Sequence, residues 1–473
     1  MLEILVYAFS DIIMLLGAAG LAAMHFCRKK SPKDYFGLTK VCLAAALLCG
    51  LVFYNKTYVP QYFGGNSYVT MIKTIIYALS LAWFFMSYKW FAGKELSGFS
   101  YCFIGILLAL ALGVMSSASN LLSLSGCYIA IFVLMYCFQK VERKECSYGM
   151  YVVSAAFVMV VSLFGAVYAS MVAGSGEYGR INEYLQNYQL DIKMFLALSA
   201  QILPLLYMLM MFPLHFWNDN LSEKAILPVG GYLMLVPVFA VFSSLSVLMH
   251  DALMQIYQML SPVLFSFAVM SMFFGALAAG KENNLRRMFA YSTMYHFGVV
   301  LLIMSYMQSF AVLSAFVYLV IYTLAMFGVY AALYAFKNRG EYTETISGIA
   351  GTYQVLPYIT AAVLIFVLSL LGTPPLLGFL GRFYIVNQLF AGKDYVLILP
   401  VLIPLGLLAS GYVRLIKAMY FEPRKYNFDR VDSGIYIALF VSIVLVLITL
   451  FNTYDVVQVA SRIIYGFWKG TVQ

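Results

Sequence analysis

Charge is what this sequence has least of. Only 10% of its 473 residues are Asp, Glu, Lys or Arg, and 63% are hydrophobic, whereas a soluble domain carries about 25% charged residues. So little charge cannot keep a chain of this length dispersed in water. Soluble enzymes are thereby excluded, and the chain reads as an integral membrane protein. Long hydrophilic stretches are lacking too, so no nucleotide-binding or catalytic module is appended. Acidic residues are fewer than basic ones, 20 against 29. The net charge of +9 has a topological origin and requires no nucleic acid. The seven cysteines form no CxxC or Cys/His cluster, which argues against a bound iron–sulfur centre or zinc site. Their scatter through apolar runs predicts buried thiols without a structural disulfide.

What is present is a series of apolar runs, each near the ~20 residues that cross a bilayer as a helix. Fourteen are found, at 2–26, 37–54, 68–90, 98–117, 120–139, 148–173, 191–212, 226–249, 255–279, 287–306, 308–336, 354–390, 397–421 and 434–453. The first is too long and too poor in small cleavage-type residues for a removed signal peptide. The expected fold is therefore an all-α integral membrane protein of about fourteen transmembrane helices in a single domain, 1–473. Lysines and arginines concentrate in loops after odd-numbered runs, such as Arg28, Lys29, Lys30 and Lys33, or Lys140, Arg143 and Lys144. Basic loops stay on the inner side, so both termini are expected on the outer side.

Prolines break two of these runs, and unwound backbone at membrane depth must line protein or water. The seventh ends in Phe212-Pro213-Leu214-His215-Phe216-Trp217, and the twelfth reads Gly372-Thr373-Pro374-Pro375-Leu376-Leu377-Gly378 before Arg382. The second break comes five helices after the first, the spacing of two five-helix repeats. For Pro213, a simple helix end at the interface remains open. A charge within lipid costs at least ~2.5–3.5 kcal/mol, so it normally faces protein or water. Arg382 is the most telling, because its always-protonated guanidinium can hold a carboxylate or organise water. Lys73 either acts in a proton path or snorkels, and Asp11 in the first run can pair with a distant base. His296 and His215 can relay protons near neutral pH or simply pack, whereas His250-Asp251 reads as a solvated loop pair.

These residues resemble a known family. Phe212 to Trp217, Asn284-Leu285-Arg286-Arg287 running into Ala290-Tyr291-Ser292, and Leu368-Ser369-Leu370 through Gly378-Phe379-Leu380-Gly381-Arg382 are similar to the proton-conducting antiporter-like membrane subunits. Ala418-Met419-Tyr420-Phe421 adds likeness to the subunit N branch of NADH-quinone oxidoreductase (complex I), with Mrp-type antiporter subunits as paralogues. The resemblance implies two inverted five-helix repeats, helices 4–8 at 97–250 and helices 9–13 at 255–421, with helices 7 and 12 broken. Segments 1–96 and 434–473 would flank them. It also implies proton transfer through a mid-membrane row of polar residues, driven by quinone reduction elsewhere. Flavin, iron–sulfur clusters and quinone would sit in partner subunits, with no cofactor in this chain. Other membrane and peripheral subunits, the lipid bilayer and protons are the expected partners, and a bacterial inner membrane is the expected location.

The likeness is incomplete where proton chemistry would need it. The family's lysine five residues before the helix-7 proline is Met208 here, its helix-8 lysine falls near Val238, and no acid occurs near Tyr128 or Ile129. Only Arg382 matches a basic family position. Three readings share these residues: a complex I proton translocator degenerate in its first half, a subunit of a multi-subunit cation/proton antiporter, and a pump-inactive structural subunit.

Overall fold

The computed structural model describes residues 2–27, 31–53, 62–92, 94–142, 149–215, 217, 225–306, 309–374, 376, 378–391, 398–451, 458, 461 and 464. The chain forms two compact units. The first comprises Met1–Leu209, Lys224–Leu260 and Ile463–Gln473. It contains the long helices α1 (Leu2–Cys27), α2 (Pro32–Val52), α3 (Ser67–Ser87), α4 (Glu95–Ser116), α5 (Leu121–Gln139) and α6 (Gly149–Ala173). Shorter ones follow: α7 (Tyr178–Asn187), α8 (Ile192–Ser199), α9 (Leu203–Met208), α10 (Leu227–Leu235) and α11 (Pro237–Val247). The second unit, Met210–Glu223 and Ser261–Arg462, takes α12 (Tyr257–Lys281) from Ser261 on. It continues with α13 (Leu285–Met304), α14 (Ser309–Leu333), α15 (Pro357–Leu371), α16 (Gly378–Ala391), α17 (Leu399–Phe421) and α18 (Ser433–Phe451). A two-residue hairpin, β1 (Lys337–Asn338) with β2 (Glu341–Tyr342), is the one sheet among the described residues.

Helix starts follow their capping residues. Asn66, Asn120 and Asn284 accept backbone N–H bonds at the heads of α3, α5 and α13, filling donors that a helix N-terminus leaves unmatched. Ten helices among the described residues are long and apolar enough to cross a membrane, and an eleventh counts if the bent pair Ile346–Gln354 and Pro357–Leu371 is one span. This is an all-helical integral membrane protein. Nearly every residue of the span Leu227–Ala252 is buried in protein. In the first unit an aromatic cluster fills the core, with Tyr101 at 4.5 Å from Phe91 and 5.0 Å from Phe138 between ring centroids.

Interruptions follow the prolines, and Pro204 and Pro237 add two to those read from the sequence. The seventh apolar run first tightens between α8 and α9, and it is interrupted again beyond Met208, where residues 209–215, Pro213 among them, are not helical. Pro204 has no N–H to give the Ala200 carbonyl. The chain instead closes tighter turns, Ile202 N–H to Ser199 O and Leu203 N–H to Ala200 O. Helix α9 stops at Met208, so Pro213 lies beyond the helix end and is exposed. The eighth run breaks at Val236, just before Pro237, for the same reason. The twelfth breaks between Leu371 and Gly378, as its sequence implies. Pro374 is exposed in that break, and Pro375 lies outside the described residues. His250, expected in solvent, is buried on a π-helical turn, Leu248–Ala252, with Nδ1 at 2.6 Å from the Asp251 carboxylate.

Candidate functional site

The break in the twelfth run builds the site. Helix α15 ends because Gly372 turns left-handed (φ +67°), a conformation glycine adopts without a Cβ penalty. The last carbonyls of α15 are then left without helical donors and carry the negative end of the helix dipole. Arg382, one turn into α16, occupies that position. Its Nη2 donates to the Leu370 carbonyl at 2.5 Å and its Nη1 to the Leu371 carbonyl. The residue is 6% exposed, and among the described residues no carboxylate pairs with it. Carbonyl dipoles and the Tyr295 ring, 5.7 Å from Cζ, take the place of a counter-ion.

Hydroxyls and one imidazole lie in the same unit. His296 Nδ1 is 2.7 Å from the Tyr318 hydroxyl, Tyr322 donates to Thr293 at 2.8 Å, and Ser292 bonds the Tyr412 hydroxyl. His296, Tyr318, Tyr322, Ser369 and Gly378 line a cavity of about 10 Å³, near the size that holds one water. His296 Nε2 and Ser369 Oγ are buried there without a hydrogen-bond partner among the described residues. An imidazole can take a proton at one nitrogen and release one from the other. The arrangement is thus a fixed positive charge in the same unit as three separate hydrogen-bonded pairs that carry exchangeable protons.

The remaining expected residues fall elsewhere. Lys73, 3% exposed, does not snorkel but donates to Asp11 at 2.7 Å. His215 follows α9 and packs on Phe274, 4.5 Å between centroids, and on Phe212. Met208 and Val238 are both buried in the first unit.

The polar centre of the first unit is Gln201, which the sequence reading passed over. It is fully buried at the interruption between α8 and α9. Its Nε2 donates to the Ser162 carbonyl at 2.6 Å, its Oε1 accepts from Ser125 and Ser162, and its carbonyl accepts from Tyr128. A glutamine inside an apolar run was the available signal. Gln201→Leu is expected to lower the stability of the assembled protein by about 1–2 kcal/mol, because the Ser125 and Ser162 hydroxyls lose their shared acceptor. The thermal midpoint of the detergent-solubilised protein measures this; an unchanged midpoint would show the network to be dispensable.

Residues 115–406 match the family model described as NADH:quinone oxidoreductase/Mrp antiporter, TM. The chain belongs to this family. Among curated relatives, the NADH-quinone oxidoreductase subunit N of Parvibaculum lavamentivorans is 26% identical over 88% of this chain and 87% of its own. That of Paramagnetospirillum magneticum is 24% identical over 94% of both. Among solved structures, a chain of respiratory complex I from Thermus thermophilus matches with a TM-score of 0.77 at 20% identity, covering 95% of this chain and 98% of that one. A chain of the Mrp complex from Dietzia sp. matches with a TM-score of 0.83 at 12% identity, covering 98% and 97%. These family members share the fold across nearly their whole length, and the Arg382 cluster lies partly within the matched stretch, with Tyr412 just beyond it.

Proposed function

We propose that this chain is a membrane subunit of a proton-translocating NADH-quinone oxidoreductase, coupling quinone reduction in partner subunits to proton transfer across the membrane. The observation that carries this reading is the likeness to proteins named subunit N, which runs nearly end to end in both partners of each comparison. The Arg382 cluster supplies the chemistry. The guanidinium holds a positive charge that sets the energy of a proton on the His296–Tyr318 pair, so a change at the α15–α16 break alters proton affinity there.

In this reading the chain crosses the membrane as fourteen helices. Two inverted five-helix repeats span 97–250 and 255–421, flanked by 1–96 and 434–473. It lies in a bacterial inner membrane with both termini outside and contacts lipid. Other membrane and peripheral subunits surround it and hold the flavin, iron–sulfur clusters and quinone, and this chain holds none of these. Its first half lacks ionisable groups at Met208 and Val238. A cation/proton antiporter subunit is the second reading, favoured by the likeness to the Mrp complex.

Purification of the native assembly through a tag on this chain separates the two. Co-purifying flavin and iron–sulfur subunits, with NADH-driven quinone reduction that acidifies one side of liposomes, are the expected result. Small membrane subunits alone, with sodium–proton exchange and no NADH oxidation, would reject it.

A further inference from the structure

The first unit holds a second buried charge cluster, remote in sequence from Arg382. Thr70, Lys73, Thr74 and Tyr77 recur at the spacing that aligns them on one face of α3. Lys73 lies roughly 9 Å along that helix at 1.5 Å per residue. Its Nζ donates to Asp11 Oδ2 at 2.7 Å, and the Tyr77 hydroxyl donates to Asp11 Oδ1 at 2.8 Å. The Asp11 side chain is itself only 16% exposed. A cavity of about 20 Å³ adjoins the pair, lined by Ser10, Thr70, Lys73, Thr74 and Tyr77 among others. That volume is enough for one water, with polar partners on several sides.

An adhesive role accounts poorly for this pair. Two charges at lipid depth cost several kcal/mol to bury, and a well-packed apolar pair usually joins two helices at least as well. A lysine amine can also do what an arginine cannot, which is to lose its proton when its surroundings change. Lys73 is moreover within electrostatic reach of the Cys127 thiol on α5. Helix α5 carries Ser125 and Tyr128, both bonded to Gln201. The charge on α3 thus acts on the helix that supports the polar centre of the first unit.

We infer that the Lys73–Asp11 pair is the proton-loading site of the first unit, supplying from flanking helices α1 and α3 the ionisable group that Met208 and Val238 do not provide. This rests on the proton-translocating reading above. In the step itself, an N–H bond of the Lys73 ammonium breaks and the proton passes to a water in the cavity. A neutral amine remains, while Asp11 stays a carboxylate held by Tyr77. Reloading reverses the step, with no change of oxidation state.

The test uses the complete assembly in liposomes and reads protons moved per electron, the amount assembled and the thermal midpoint. Lys73→Arg keeps an ion pair but cannot release a proton. The double variant Lys73→Leu with Asp11→Leu replaces the pair by an apolar contact. Either variant, once assembled, is expected to move fewer protons per electron than the native assembly. A native ratio in an assembled variant overturns the inference, and so does failure of both to assemble, which marks the pair as structural. A native assembly without NADH-driven quinone reduction would instead reject the parent reading, so the two failures are distinguishable.

Discussion

Arg382→Ala is expected to lower coupled activity, or the amount of assembled protein, about tenfold or more. The guanidinium makes two bonds to carbonyls at the end of α15. Hydrogen bonds to a charged group contribute about 1.5–3 kcal/mol each, and 1.4 kcal/mol is a factor of ten. The alanine variant loses both bonds, leaves the Leu370 and Leu371 carbonyls buried without a donor, and removes the fixed charge beside His296. Arg382→Lys retains that charge and reaches one carbonyl, so it is expected to assemble near the native level with most of its coupled activity. Native assembly and proton transfer in the alanine variant would remove Arg382 from the site.

Gly378→Ala and Gly372→Ala are expected to be nearly as damaging, although neither glycine carries any chemistry. A Cβ at Gly378 collides with the Ser369 carbonyl oxygen, and one at Gly372 collides with Nη1 of Arg382. Gly372 also has a left-handed backbone, which costs a residue with a Cβ about 1–2 kcal/mol. Each substitution pushes the two half-helices apart and withdraws the carbonyls from the guanidinium. Arg382→Ala removes one of the collisions but not the backbone cost, so Gly372→Ala combined with Arg382→Ala should fall short of the sum of the two single effects. Full additivity in assembled amount and coupled activity would show that the glycines act elsewhere.

Hydropathy made the helices legible, because a bilayer imposes a length and an apolar composition that few other constraints mimic. Arg382 and Lys73 were legible because a charge inside an apolar run is rare and costly. Their partners were not. Arg382 is held by backbone carbonyls, which every residue has, and Asp11 lies 62 positions from Lys73. Tyr318 and Tyr322 are two of 38 tyrosines, and nothing in the sequence separates a relay hydroxyl from one that packs. In the seventh run the conspicuous Pro213 does lie in a non-helical stretch, but Pro204 tightens the helix earlier because its missing N–H falls inside it. Gln201 is neutral, so a search for charges did not find the residue that joins α5, α6 and the α8–α9 turn.

Helix α13 bears on how the chain reaches the membrane at all. It carries Arg286, Arg287, Thr293 and His296, and nearly every side chain along it is buried against protein. Its arginine Arg286 is matched by Glu344 at 2.5 Å, a residue synthesised almost sixty positions later. A segment of this composition is a poor candidate for partitioning by itself during synthesis, since its arginines fill the first turn and the stretch left to enter the bilayer carries Ser292, Thr293 and His296. Its apolar neighbours α12 and α14 must hold it until Glu344 emerges. Biogenesis of this region is thus cooperative over at least three helices, and the polar face that equips α13 for its site is what denies it independent entry.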